Sequence, residues 1–403
     1  MHFVGIDWAD QKHDICITDV KGTILHEFEI AHNLKGFAKL KAYLEPLPDA
    51  RINIERADGL LVDWLTHQPW PIYITPPSIT HKRRPSRSKS DRGDAELMAY
   101  LLRMNDQHCR PLVERGEIVE HLRQLLRGYD GVLREQRRLS NRLIYLLKQY
   151  YPVGVKAFSR PYNLIGLAFL EQFPTPDVAK AATVDDLYDF LREQRYAGKK
   201  IDVKLAELYQ LLQAPAPRAT VQAGLAVHVQ VLIPLLRHLF HSRRNLTNEV
   251  LAVFPDHPDA GWWMLFPGAQ KLTAARLLAW MGDDRSRFPS ARVLQAIAGT
   301  SPRPRSSGQK NGAEFRHACS HPLRKAVDDF ARQSVKHSNW SREYFNSQLA
   351  RGHNIARAYR ALGNRWMSIV WKLWQTGEVY DEAVHMANRA HKGVRRTAAQ
   401  PIS

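Results

Sequence analysis

Along the first hundred residues, apolar and polar positions fall into short runs of strand period broken by helical stretches. His2 to Ile6 and His13 to Thr18 are apolar runs of strand length, Ile24 to Ile30 alternates apolar with polar residues, and Asp19 to Gly22 carries turn chemistry between them. That spacing predicts consecutive antiparallel strands. Asn33 to Leu44 then has helical spacing, Arg51 to Ile54 reads as a short strand, Gly59 to His67 as a helix, and Pro71 to Ile74 as a buried strand before Pro76 and Pro77. A meander followed by β-α-β alternation predicts an α/β domain with a ribonuclease H-like core over residues 1–112, although periodicity alone admits other α/β folds.

From about Glu117 the period changes. Ile118, Leu122, Leu125, Tyr129, Val132, Leu139, Leu143, Leu146 and Tyr150 recur at alternating four-and-three spacing, which predicts a coiled-coil seam interrupted at Gln136. Gly128 and Gly131 weaken that helix by about 1 kcal/mol each relative to alanine. Short helices are expected through Tyr162 to Arg195, another over Val203 to Leu212, and a long one over Val221 to Val250 with Pro234 inside it. Two long antiparallel arms, partly paired within the chain and open to a second chain, are the simplest arrangement for residues 113–253. A mainly helical third region, residues 254–380, is expected to hold helices at Leu272 to Met281, Pro289 to Ile297, Pro322 to His337 and Ser341 to Thr376, with Ala298 to Gly312 as a loop. The basic stretch 381–403 has no period and is expected to be disordered.

Charge narrows the partners. The 403 residues carry 58 Lys and Arg against 40 Asp and Glu, a formal charge of +18, which favours nucleic acid over acidic lipid or protein. The basic character alone is also that of a ribosome-associated or merely basic soluble protein. The 3 cysteines, Cys16, Cys109 and Cys319, form no CxxC pair, so neither a zinc ribbon nor a disulfide framework is supported and a reducing cytoplasm is expected. No apolar run is expected to reach the length of a membrane span, and the N-terminus enters a strand at once.

Candidate chemistry lies in two places. Asp7 follows one apolar strand and Glu55 another, while Asp91 and Asp94 open a helix on one face, an arrangement in which hard oxygen ligands could hold Mg2+ for work on phosphodiesters. Singly, Asp7 could be a turn residue, Glu55 a surface acid, and Asp91 an N-cap with Asp94 in its first turn. Just before the pair, Ser78 to Arg92 reads as a mobile basic loop whose Lys82, Arg83, Arg84, Arg87 and Lys89 suit contact with a phosphate backbone. The second place is Ser306-Ser307-Gly308 among Arg303, Arg305, Lys310, Arg316 and Arg324, where a serine could attack phosphorus with guanidinium groups stabilising the developing charge, or be an ordinary linker serine. Pro267-Gly268 with Thr273 to Leu278 has the look of half a helix-hairpin-helix, but Gln270 stands where its second glycine is expected.

Gly5-Ile6-Asp7-Trp8-Ala9-Asp10, Ile54-Glu55 followed by Gly59-Leu60-Leu61-Val62, Lys89-Ser90-Asp91-Arg92-Gly93-Asp94-Ala95, and Ala298-Gly299-Thr300-Ser301-Pro302 leading to Ser307-Gly308 together resemble the DEDD transposases of the insertion-sequence one-ten family. The resemblance covers about residues 2–110 and 260–345. It implies a RuvC-like N-terminal domain, a coiled-coil middle and a C-terminal transposase domain. It further implies an RNA-guided recombinase that moves its own element, with a bridge RNA pairing to donor and target DNA. On matching positions, Asp7, Glu55, Asp91 and Asp94 take the place of the magnesium-binding tetrad, and Ser307 that of the nucleophile, with Ser306 one residue away. It also implies a dimer or tetramer in which one chain's tetrad is completed by another's serine. The residues themselves leave two rivals: a metal-dependent junction-resolving nuclease using the tetrad alone, and a non-catalytic nucleic-acid-binding protein whose carboxylates only cap helices.

Overall fold

The computed structural model describes residues 1–84, 90–112, 115–196, 200–307 and 310–387, with the backbone alone at 304–307 and 310–313. The chain divides into two compact units, Met1–Glu114 and Arg115–Ser403.

In the first unit the elements run β1 (His2–Trp8), β2 (Lys12–Thr18), β3 (Ile24–Ala31), α1 (Leu34–Leu44), β4 (Ala50–Ile54), α2 (Leu60–Thr66), β5 (Ile72–Ile74), α3 (Pro77–Arg83), α4 (Asp91–Arg103) and β6 (Arg110–Pro111). They build one sheet in the order β3-β2-β1-β4-β5-β6. The β1-β2-β3 meander is antiparallel, as the apolar runs predict, whereas β4 and β5 join parallel to β1. Alternation along the strands decides what lies on each face. Val4, Ile6, Ile15, Ile17, Ile52 and Ile54 pack with α1 and α2 into one apolar core. The opposite face of β1 carries Gly5, and α4 lies directly on it: a Cβ at Gly5 would stand 1.9 Å from the Ala95 carbonyl oxygen and 2.6 Å from the Ala99 amide nitrogen. Asn53, buried on the same face of β4, donates to the Met98 carbonyl at 2.8 Å and accepts from Thr75 Oγ1 at 2.9 Å, tying α4 to the sheet.

One sequence expectation changes here. The basic stretch expected as a loop from Ser78 is helical through Arg83, because Pro77 at the first helical position has no N–H to leave unpaired and a φ already suited to a helix.

The second unit is helical apart from one hairpin. It comprises α5 (Glu117–Tyr150), α6 (Pro152–Lys156), α7 (Leu164–Gln172), α8 (Pro176–Ala181), α9 (Val184–Glu193), α10 (Ile201–Leu212), α11 (Ala219–Val253), α12 (Ala260–Met264), α13 (Lys271–Met281), α14 (Ala291–Ile297), the strands β7 (Arg303–Ser307) and β8 (Lys310–Glu314), α15 (His321–His337), α16 (Asn339–Ala350) and α17 (Ile355–Thr376). The long helices α5 and α11 run antiparallel. Val119, Leu122 and Leu126 share a core with Val250 and Phe254, while Leu143, Leu147 and Tyr150 share another with Val229, Ile233 and Leu236. The buried seam of α5 thus uses Val119 and Leu126 where spacing suggested Ile118 and Leu125, and it buries Gln136 and Ser140. A wider apolar face facing several helices, rather than a narrow two-helix seam, accounts for the shift.

Three further expectations are corrected. Ala298 to Gly312 is not wholly loop, since β7 and β8 pair antiparallel with Ser307 opposite Lys310. Ser341 to Thr376 is two helices, broken where Gly352 takes a φ of +77°. And α11 with its extension to Asp256 is long and apolar enough to cross a membrane by length and composition; its buried face packs instead on α5 and α7. Gly268, at a φ of +82°, lies against the backbone of α15, so the Pro267-Gly268 turn serves close packing. The tail expected to be disordered is helical over residues 382–387, where Glu382 accepts from the Asn339 amide and the Ser338 hydroxyl, and the rest of that expectation, residues 388–403, lies outside the described residues.

Candidate active site

Strand ends and one helix start bring the N-terminal carboxylates together. Asp7 is the second-last residue of β1, Glu55 follows the last residue of the neighbouring parallel strand β4, and Ser90 caps α4 by accepting from the Gly93 amide, which sets Asp91 and Asp94 in the first turn. Gly5 permits α4 to lie close enough for this meeting.

The cation at their centre is Arg84. Its guanidinium holds both oxygens of Asp94 through Nε and Nη2. Asp94 is buried, its side chain 4% exposed, and Arg84 is 21% exposed. The hydrogen bonds with Asp94 raise the Arg84 pKa above its ordinary value; the charges of Asp94, Glu55 and Asp7 add to that rise, against the opposing effect of burial. Glu55 is further held by Thr80, whose hydroxyl donates to Oε1 from α3. Asp91 lies within electrostatic reach of Lys12 and Asp14. Among the described residues no three His, Cys, Asp or Glu side chains close on a single point.

Asp14 is a carboxylate that the spacing did not flag. It sits opposite Asp7 on β2, 6% exposed, and burial raises its pKa, with the charge of Glu29 adding to the effect. Its signal was an acid directly before the apolar run Ile15 to Ile17. Beside the site, the Arg56 guanidinium lies 4.2 Å over the Trp8 ring, so the neighbours of Glu55 and Asp7 are joined by a cation–π contact. His13, fully buried behind Trp8, meets His32 at 2.7 Å, and its pKa falls to about 4 through burial and, secondarily, the charge of His32.

The basic residues ahead of the pair divide. Arg84 belongs to the carboxylate cluster, Arg83 pairs with Asp106 at 3.1 Å, and Lys82 is exposed. Arg87 and Lys89 lie outside the described residues.

In the second unit, Ser306 and Ser307 end β7, and the structure gives their backbone only, as for Arg305 and Lys310. Arg303 is exposed at the start of β7. Arg316, just past β8, donates from Nε to the Ser301 carbonyl at 3.1 Å and so closes the foot of the hairpin.

The same two segments match known transposases. Residues 4–152 match a family model described as a DEDD transposase of IS110 type, and residues 264–346 match one described as the transposase IS116/IS110/IS902 family. The IS117 mini-circle transposon protein of Streptomyces coelicolor is 30% identical over 399 residues, covering 94% of this chain and 95% of its own. The chain belongs to the IS110 family of transposases. A 43.6 kDa protein of insertion element IS110, also from Streptomyces coelicolor, is 27% identical over 74% of this chain and 73% of its own. A 42 kDa protein of insertion element IS900 from Mycobacterium paratuberculosis is 24% identical over 78% of this chain and 79% of its own. This IS110-family transposase is therefore a DNA-processing enzyme.

Proposed function

We propose that this transposase is an RNA-guided recombinase that cuts and rejoins DNA through a serine–DNA linkage, with a RuvC-like carboxylate site in residues 1–112 and a serine hairpin in residues 254–380. The strand order β3-β2-β1-β4-β5, antiparallel then parallel, supports the ribonuclease H-like reading of the first region. The observation that carries the function is the placement of Asp7 and Glu55 at the ends of neighbouring parallel strands, with Asp94 held by Arg84 at the start of the helix packed on them. Carboxylates assembled in this way need positive charge, and their hard oxygens fit a divalent ion such as Mg2+. Asp7, Glu55 and Asp94 would be its ligands once Arg84 gives up Asp94, since as they stand these side chains do not converge on one point. When bound, the ion supplies positive charge to phosphoryl oxygens.

The remaining steps belong to the chain. Ser307 Oγ attacks the scissile phosphorus and loses its proton; the serine–phosphorus bond forms as the bond to the leaving DNA oxygen breaks, and that oxygen departs as a hydroxyl. Attack by a freed hydroxyl of the partner strand reverses the chemistry and releases Ser307. Lys82, Arg83, Arg87, Lys89, Arg303, Arg305, Lys310 and Arg316 are the proposed contacts to nucleic acid. A bridge RNA would pair with donor and target DNA, and a dimer or tetramer, joined along coiled-coil arms, would let one chain's serine complete another's carboxylate site. The chain would act in the bacterial cytoplasm.

Sequencing the RNA retained when the protein is purified from cells carrying the DNA that flanks its gene tests the guide. One discrete structured RNA encoded beside the gene is expected; random cellular RNA, together with Mg2+-dependent cutting of branched DNA, would transfer the reading to a junction-resolving nuclease.

A further inference from the structure

At the foot of the β7-β8 hairpin, guanidinium groups crowd together. Arg324 of α15 and Arg360 of α17 both lie over the ring of Phe315, at 4.5 and 4.3 Å from its centroid. Arg324 also donates from Nη2 to the Arg316 carbonyl. Its guanidinium fits only because position 299 is glycine: Gly299 has a φ of +67°, and a Cβ there would stand 2.6 Å from Arg324 Nε. The nearby carboxylate is Asp328, whose charge burial disfavours and whose pKa is raised. Arg360 in turn is depressed below its ordinary value by burial; the charge of Asp328 opposes that, and Arg324 and Arg357 add repulsion.

Among the described residues, the buried Nε groups of both Arg324 and Arg360 find no acceptor. Both side chains are only partly buried, so their remaining guanidinium donors can meet an anion from solvent. Phe315 fixes the planes of both groups, and planar guanidinium donors match the oxygens of a phosphodiester.

We propose that Arg324 and Arg360 form a clamp for one backbone phosphate of a nucleic acid at the foot of the hairpin that carries Ser306 and Ser307. Ligand and place rest on the reading of that hairpin as the serine site. The clamp supplies a fixed anchor, which sets the register of a strand relative to β7. Arg360 is invisible to motif spacing, because it lies far along the chain from the hairpin and comes to its foot only through the packing of α17 on α15.

The test uses the full chain, with wild type, Ser307→Ala, Arg360→Gln and Arg360→Lys titrated against a short duplex DNA and a single-stranded RNA across a KCl series. Arg360→Gln should bind about tenfold more weakly. Its slope of log affinity against log salt should fall by about 0.9 if the phosphate is in duplex DNA or about 0.7 if it is in the RNA strand. Whichever arm changes identifies the source. Arg360→Lys should keep the slope but lose several-fold in affinity, because the charge stays and the planar donors go. Wild-type slope and affinity in both variants overturn the clamp, as does a loss confined to an Arg360→Gln chain with a collapsed melting temperature while Arg360→Lys binds like wild type. If the serine forms its DNA adduct while the Arg360 slope is unmoved, the clamp alone fails. If the slope moves but no adduct forms, the serine reading fails and the phosphate site stands.

Discussion

Replacing Arg84 with glutamine should make the first unit less stable without metal and more responsive to it. In the wild type, the guanidinium neutralises Asp94, whose side chain is 4% exposed, and adds favourable charge beside Glu55 and Asp7. Removing one member of a fully buried pair costs about 3–5 kcal/mol. Arg84 is 21% exposed, and screening through that opening reduces the expected cost to about 2 kcal/mol. For a unit of this size each kcal/mol moves the midpoint by about 4–8 °C, so a fall of about 8–16 °C is expected. An ion bound at one hundred times its dissociation constant adds about 2.7 kcal/mol of stability. In wild type, part of that gain is spent displacing Arg84 from Asp94, whereas in Arg84→Gln it is not. Scanning calorimetry of the full chain with and without MgCl2, with amide exchange in α4 assigning the transition, reads both quantities. The magnesium-induced rise should be larger in the variant, so that the two midpoints converge as the ion is added. Equal rises in both proteins, or an Arg84→Gln chain as stable as wild type without metal, would refute the view that Arg84 holds the place of a cation.

Other perturbations test the scaffold. Gly5→Ala would put a methyl group 1.9 Å from the Ala95 carbonyl oxygen, so α4 must shift; a loss of about 3 kcal/mol and of the magnesium response is expected, and an unchanged midpoint would contradict the packing of α4 on β1. His13 has a folded pKa of about 4, below the ordinary 6.5, so the unfolded chain binds its proton first. Stability from this group is therefore present above about pH 6.5 and lost as the pH falls toward 4, up to about 3 kcal/mol, and acid melts of His13→Gln should show a correspondingly shallower loss.

The strands and the carboxylates at their ends were legible because both follow local rules: apolar runs place Asp7 and Glu55 at strand termini, and a serine three residues ahead of Gly93 announces the start of α4. The partners of those acids were not legible. Arg84 looked like one more cation in a basic stretch, and only the turn of α3 brings it and Thr80 back onto Asp94 and Glu55. Asp14 was hidden by the apolar strand around it, and its importance depends on the β1-β2 register. The hairpin at Arg303–Glu314 escaped notice because prolines, serines and arginines carry little strand signal and pairing here is set by the fold around Arg316 and Arg324. In α5, the heptad phase was off by one at Val119 and Leu126 since the helix packs against a broad surface rather than one partner.

During the reaction a serine of this hairpin should become joined to DNA. The most direct test incubates the protein, its RNA, donor DNA and magnesium, stops the reaction in denaturant, digests with protease and nuclease, and identifies the nucleotide-bearing peptide by mass spectrometry. The adduct is expected on Ser307, absent in Ser307→Ala and retained in Ser306→Ala. Strand cleavage that persists in Ser307→Ala with no nucleotide on any serine would contradict that expectation and leave the carboxylate site as the sole catalyst.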